Sequence, residues 1–253
     1  MIRNVWTREE TMLAFELYCT IPSGKVTSYH KSIVSLANAI RRTPGSVKLK
    51  LQNFKSYDPS YVNDGRVGLA HGSKLDKEIC EEFLGNWDEL VVKTQEIKNQ
   101  YGLSDDTGNA ESDLVLPTGK EVSISAKQRI GQSFFRRALN ASYEGTCCIT
   151  GINLSDLLRA SHIKPWSKSN DANEKTNPQN GLLLNALHDV AFDRGYITIS
   201  TTYKVIVGTN FIFMHGWELE FFKKYNNCEI RKPNKFLPAK KFIEFHNDVI
   251  FRG

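Results

Sequence analysis

No stretch of this 253-residue chain approaches the roughly eighteen uncharged apolar residues of a membrane-spanning helix. The opening segment, Met1 to Trp6 followed by Thr7-Arg8-Glu9-Glu10, has no apolar core of a signal peptide. No membrane partner and no secretion are therefore expected. Cysteine is scarce as well. The five present, Cys19, Cys80, Cys147, Cys148 and Cys228, are odd in number and scattered, unlike the framework of a disulfide-stapled secreted domain, so a cytoplasmic location is expected. Repeats and low-complexity tracts are missing, and 40% apolar with 24% charged residues excludes a disordered tail or a coiled coil. Two small globular domains fit the length.

Acidic residues are missing where it matters most. From Leu17 to Tyr57 there is no Asp or Glu, while Lys25, Lys31, Arg41, Arg42, Lys48, Lys50 and Lys55 fall inside that window. A second acid-free stretch, Val122 to Tyr143, carries Lys127, Arg129, Arg136 and Arg137. Two positive regions point to two places for a polyanion, a reading that the modest net charge of +5 could not supply alone.

Thr7 and Glu10 have the spacing of a capping box for a helix that ends near Cys19. A second helical pattern begins near Ser32 and stops at Arg41-Arg42-Thr43-Pro44, where Thr43 can cap and Pro44 can open a third helix carrying Val47, Leu51 and Phe54. Helix, short turn, helix looks like a helix-turn-helix in a winged-helix setting. Arg42, Thr43, Ser46, Lys48, Lys50, Asn53 and Lys55 are then candidate DNA contacts, since Asn pairs with adenine edges and Lys reaches guanine or phosphate. A further helix is expected over 75–98, loosened at Gly85. Residues 101–120 turn to Gly, Ser, Asp, Thr and Asn and read as a linker, which separates a domain at 1–100 from one at 121–253. The second domain opens on a helix over 127–143 and closes on helical patterns over 217–225 and 239–251.

The segment from Cys148 to Ile199 is the most informative. It contains Ala160-Ser161-His162-Ile163-Lys164-Pro165-Trp166, a polar loop, Asn180-Gly181 before an apolar strand, then Leu187-His188-Asp189 and Phe192-Asp193-Arg194-Gly195. The layout is a β-hairpin packed on a helix, within an α+β fold overall. In order and context His162, Asn180 and His188 resemble the motif of the HNH endonucleases, which use the ββα-metal fold. The Phe134-Phe135-Arg136 helix and the Phe236-Leu237-Pro238 tail extend the likeness to one bacterial branch.

That resemblance implies metal-dependent hydrolysis of phosphodiester bonds in double-stranded DNA, with a restriction endonuclease as the first reading. It makes His162 the general base, Asn180 the residue that bridges the two ends of the hairpin loop, and His188 a ligand of Mg²⁺ or Mn²⁺. Histidine suits the base role because its usual pKa of about 6.5 keeps it neutral yet basic. The position before the base, an Asp or His in many relatives, is Ser161 here, and Asp193 or Asp189 could complete the ligand set. Arg129, Arg136, Arg137 and Lys164 are further candidate DNA contacts. Structural zinc is not expected, since Cys147-Cys148 has no second pair at a suitable spacing. A modification-dependent or other antiphage nuclease of the same chemistry is the alternative, and a DNA-binding regulator with an inactive HNH fold is the non-enzymatic one. A homodimer is expected, because one such site typically cuts one strand; the apolar positions of the last helix (Phe242, Ile243, Phe245, Val249, Ile250) could serve core or partner.

Overall fold

The structure is a computed structural model that describes residues 5–59, 72–103, 120–169, 172–209 and 216–253. The chain forms two compact units, Met1–Ala138 and Leu139–Gly253. Among the described residues no helix is long and apolar enough to cross a membrane.

The first unit is built from α1 (Arg8–Thr20), α2 (Lys31–Ala39), α3 (Pro44–Phe54), α4 (Lys74–Phe83), α5 (Trp87–Tyr101) and most of α6 (Lys120–Ser142). The capping box opens α1: the Thr7 hydroxyl accepts from the Glu10 amide at 3.2 Å, and the Glu10 carboxylate accepts from the Thr7 amide at 3.0 Å. Thr43 caps α3 by accepting from the Ser46 amide, and Pro44 follows where its missing N–H costs nothing. The single helix expected over 75–98 is two, because Gly85 takes a φ of 106° between α4 and α5. Phe15, Val47, Leu51, Phe54, Ile79, Phe83 and Leu90 are buried at the centre, each stabilising by about 1.5–3 kcal/mol relative to exposure.

α2 and α3 pack together across a turn in which Arg41 takes a φ of 54°. No β-strand occurs among the described residues of this unit, so they do not include the wing of a winged helix. The expected linker over 101–120 lies almost wholly outside the described residues. The division between the units falls later, inside α6, because Phe134 packs against Trp87 and Arg137 pairs with Glu16.

The second unit holds two antiparallel hairpins. β1 (Leu158–His162) pairs with β2 (Gly181–Asn185), and β3 (Ile197–Ile199) pairs with β4 (Val205–Val207). Helices α7 (Ala172–Thr176), α8 (Ala186–Asp193), α9 (Trp217–Lys223) and α10 (Lys240–Val249) complete it. All five residues of β2 are buried, as an apolar strand covered on both faces requires, and α8 lies against both strands of the first hairpin. Phe242 and Ile243 of α10 are buried within this unit, whereas Val249 is exposed.

Candidate active site

β1 and β2 run in a register that sets His162 opposite Gly181 and Ser161 opposite Leu182. Because side chains alternate along a strand, Arg159 and Ser161 share one face and Ala160 and His162 the other. The polypeptide between the strands folds back on itself, and Asn180 ties it together. Its Oδ1 accepts from the Lys164 amide at 2.8 Å, while its Nδ2 donates to the carbonyls of Lys164 at 3.2 Å and Glu174 at 3.1 Å. Asn180 is wholly buried, so each of these bonds is made away from competing water.

The next carbonyl along, that of Lys175, lies 2.9 Å from Nε2 of His162. A carbonyl only accepts, so the ring proton sits on Nε2 and the lone pair on Nδ1. The Trp166 ring meets the imidazole edge-on at 5.6 Å and limits its rotation. Burial lowers the His162 pKa below its ordinary value, partly offset by the Lys175 carbonyl, which favours the protonated ring. A neutral imidazole of fixed tautomer and orientation can take a proton from water.

His188 is placed differently. Asn185 caps α8, its Oδ1 accepting from the Leu187 and His188 amides at 3.1 Å each. That turns the Nδ2 group toward Thr150 Oγ1 at 3.0 Å and His188 Nδ1 at 3.1 Å. Nδ1 also lies 3.4 Å from the Asn185 Oδ1, so it can accept from the amide group or donate to that oxygen. The imidazole is fully buried, with the rings of Phe221, Phe222 and Tyr225 centred 5.1–5.2 Å away. Nε2 has no hydrogen-bond partner, and burial with the nearby Lys224 charge pushes the pKa down to about 4. Aromatic rings, rather than acidic side chains, close around this imidazole.

Among the described residues no three His, Cys, Asp or Glu side chains gather closely enough to hold a metal. Two carboxylates of α8 lie on the side of the first hairpin. Asp189 is half-buried next to it; burial raises its carboxyl pKa, while Ser161 and Arg159 hold it down. Asp193, four residues on along α8, is pushed up to about 6 by desolvation and by the Asp189 charge, against Arg194. Carboxylate and hydroxyl oxygens suit a hard cation such as Mg²⁺.

Several expected DNA contacts face inward. Lys50 is 4% exposed and paired with Asp76, which also accepts from Asn53 at 3.2 Å. The Arg42 guanidinium pairs with Glu10 at 2.7 Å and lies over the Trp6 ring, and Arg137 pairs with Glu16 at 2.9 Å. Lys164 is buried, bonded to Glu174 at 2.6 Å, so it steadies the loop. Any contact of these cations with phosphate would require breaking an internal pair. Thr43, Arg129 and Arg136 are exposed, and Ser46, Lys48 and Lys55 half-buried.

Two contributors were not singled out from sequence, Asn185 and the role of Cys147. The Cys147 sulfur accepts from the Asn185 amide at 3.2 Å and fastens the start of α8 to the turn before β1. The polar Asn directly before a helix was the available signal. No curated protein matches the chain. Residues 147–200, from Cys147 through both strands of the first hairpin and α8 to the end of β3, match a family model described as HNH endonuclease.

Proposed function

We propose that the protein is a divalent-metal-dependent DNA endonuclease of restriction type, with His162 as the general base. The observation that carries this reading is the relay from Asn180 through the peptide at Glu174 and Lys175 to the His162 ring. Asn180 is the positioning residue, since it holds the Glu174 carbonyl, one residue before the Lys175 carbonyl that sets the tautomer. In hydrolysis His162 removes the proton of the attacking water, and the part-buried Lys164–Glu174 pair keeps the loop from shifting as charge develops. A bound divalent ion would supply stabilisation of the negative charge on the phosphate and the leaving oxygen. Asp189, Asp193 and Ser161 are the residues that would hold it.

In the first unit, Thr43, Ser46, Lys48 and Lys55 of the α2–α3 region, with Arg129 and Arg136 of α6, are proposed to meet DNA. Arg42, Lys50, Asn53, Arg137 and Lys164 are assigned to internal support. A homodimer would let two sites cut two strands, and sedimentation with and without DNA tests it. The sealed His188 favours a second reading, a DNA-binding regulator with an inactive nuclease fold. Incubation of methylated and unmethylated plasmid with the protein, with and without Mg²⁺, separates the two. Cleavage that stops on chelation supports the nuclease, a preference for methylated DNA selects the modification-dependent alternative, and binding without cleavage supports the regulator.

A further inference from the structure

The first unit contains a cavity of about 410 Å³ that plays no part in the hydrolysis proposed above. Its wall is drawn mainly from α1 and α2, with Lys98 of α5, Leu103 just beyond that helix and Arg137 of α6. The volume falls within the roughly 300–1,000 Å³ of small-molecule pockets, whereas close packing leaves few voids larger than a water molecule. Leu13, Leu17, Ile21, Leu36 and Leu103 make part of the wall aliphatic. The rest carries charge. Glu16, 4% exposed, accepts from Lys98 and from Arg137, each at 2.9 Å. One carboxylate against two cations leaves this trio a net charge of +1, and Lys31, exposed in the first turn of α2, adds a further positive charge. Among the described residues that line the cavity, Glu16 is the only acid.

A surplus of positive charge beside an aliphatic, partly buried surface draws a counter-ion, because a wall of low polarity strengthens the attraction. No Phe, Tyr or Trp is among the described residues that line the cavity, so they offer no ring for a nucleobase to stack on. An apolar body with one anionic head meets both parts of the wall. We propose that this cavity binds a small amphipathic anion, a carboxylate or phosphate monoester with a hydrocarbon body. The body lies along the leucines and the head is drawn to Lys31, while Lys98 and Arg137 stay paired with Glu16 and attract it through the net charge of the trio. No residue of the second unit lines the cavity, so the site is separate from that of hydrolysis.

The test is calorimetry of the full chain with octanoate, octyl phosphate, octan-1-ol and inorganic phosphate. One equivalent of octanoate or octyl phosphate should bind, at least about tenfold more tightly than octan-1-ol, which lacks the charge-assisted contact of the head. Inorganic phosphate, which has no apolar body, should bind more weakly than octyl phosphate. The tighter of the two amphipathic anions identifies the head as carboxylate or phosphate. Lys31→Gln should weaken that ligand about 3–10-fold. Ser35→Trp, which places an indole at the cavity from an exposed position of α2, should weaken it by at least about tenfold, with the fold checked by circular dichroism and thermal melting. No saturable binding of either amphipathic anion would overturn the proposal. So would octan-1-ol binding as tightly as octanoate, inorganic phosphate binding as tightly as octyl phosphate, or unchanged affinity in a folded Ser35→Trp protein.

Discussion

Acidification should unfold the second unit through two histidines that the fold keeps neutral. His188 and His246 are buried to within 1% exposure, and burial pushes each pKa down to about 4 from an ordinary 6.5. His246 is stacked on Phe192 at 3.8 Å and bonded to Thr198 at 2.8 Å, so it has no path to relax toward water. Because the folded pKa is depressed, the unfolded chain binds more protons between those values. The stabilisation is complete above about pH 6.5, falls as the pH drops and levels off near pH 4. From about pH 7.5 to pH 5 the linkage relation gives a loss of about 2 kcal/mol per histidine, about 4 kcal/mol together. That is a large part of a typical 5–15 kcal/mol. His162, lowered in the same direction, adds to the loss, whereas the raised carboxyls of Asp189 and Asp193 oppose it. Urea unfolding followed by tryptophan fluorescence at the two pH values, on the unaltered chain and on His246→Gln, measures the effect. The variant should start less stable and lose less on acidification. An unaltered chain equally stable at both, or a folded variant with the full pH dependence, would refute the reasoning.

Lys50→Ala should destabilise the first unit by about 3–5 kcal/mol by leaving Asp76 charged and unpaired in the core, and Asp76→Asn in the same background should recover part of it in thermal melts. Gly195 has a φ of 72° and an added Cβ would collide with the Ile250 carbonyl, so Gly195→Ala should cost about 1–3 kcal/mol or more and loosen the carboxy-terminal segment to limited proteolysis. Asn180→Ala leaves the Lys164 and Glu174 carbonyls short of a donor; it should cost about 1–3 kcal/mol by urea titration and lower the cleavage rate more than DNA affinity.

Local signals in the sequence carried the hairpin and the place of His162 at the end of its first strand. The alternation around His162, the Asn-Gly opening of β2 and the Thr7 and Thr43 caps are interactions over a few residues, and each is found where its spacing puts it. The charges were read less well because their partners are remote in sequence. The window 17–57 lacks acids, but Glu10 and Asp76 outside it fold back to Arg42 and Lys50. Periodicity held a warning for Lys50, which lies three residues after Val47 and four before Phe54, on the buried face of α3. For His188 nothing local announced the aromatic surroundings, which come from Phe221, Phe222 and Tyr225, more than thirty residues away.

The central claim is that His162, oriented by the Lys175 carbonyl, is the base that activates water. Single-turnover cleavage of plasmid DNA by the unaltered protein and by His162→Ala, with DNA affinity measured alongside, tests it most directly. A fall in rate of about 10²–10⁴-fold with affinity unchanged is the predicted result. A folded His162→Ala protein that cuts at the unaltered rate would contradict it and place the reacting group elsewhere.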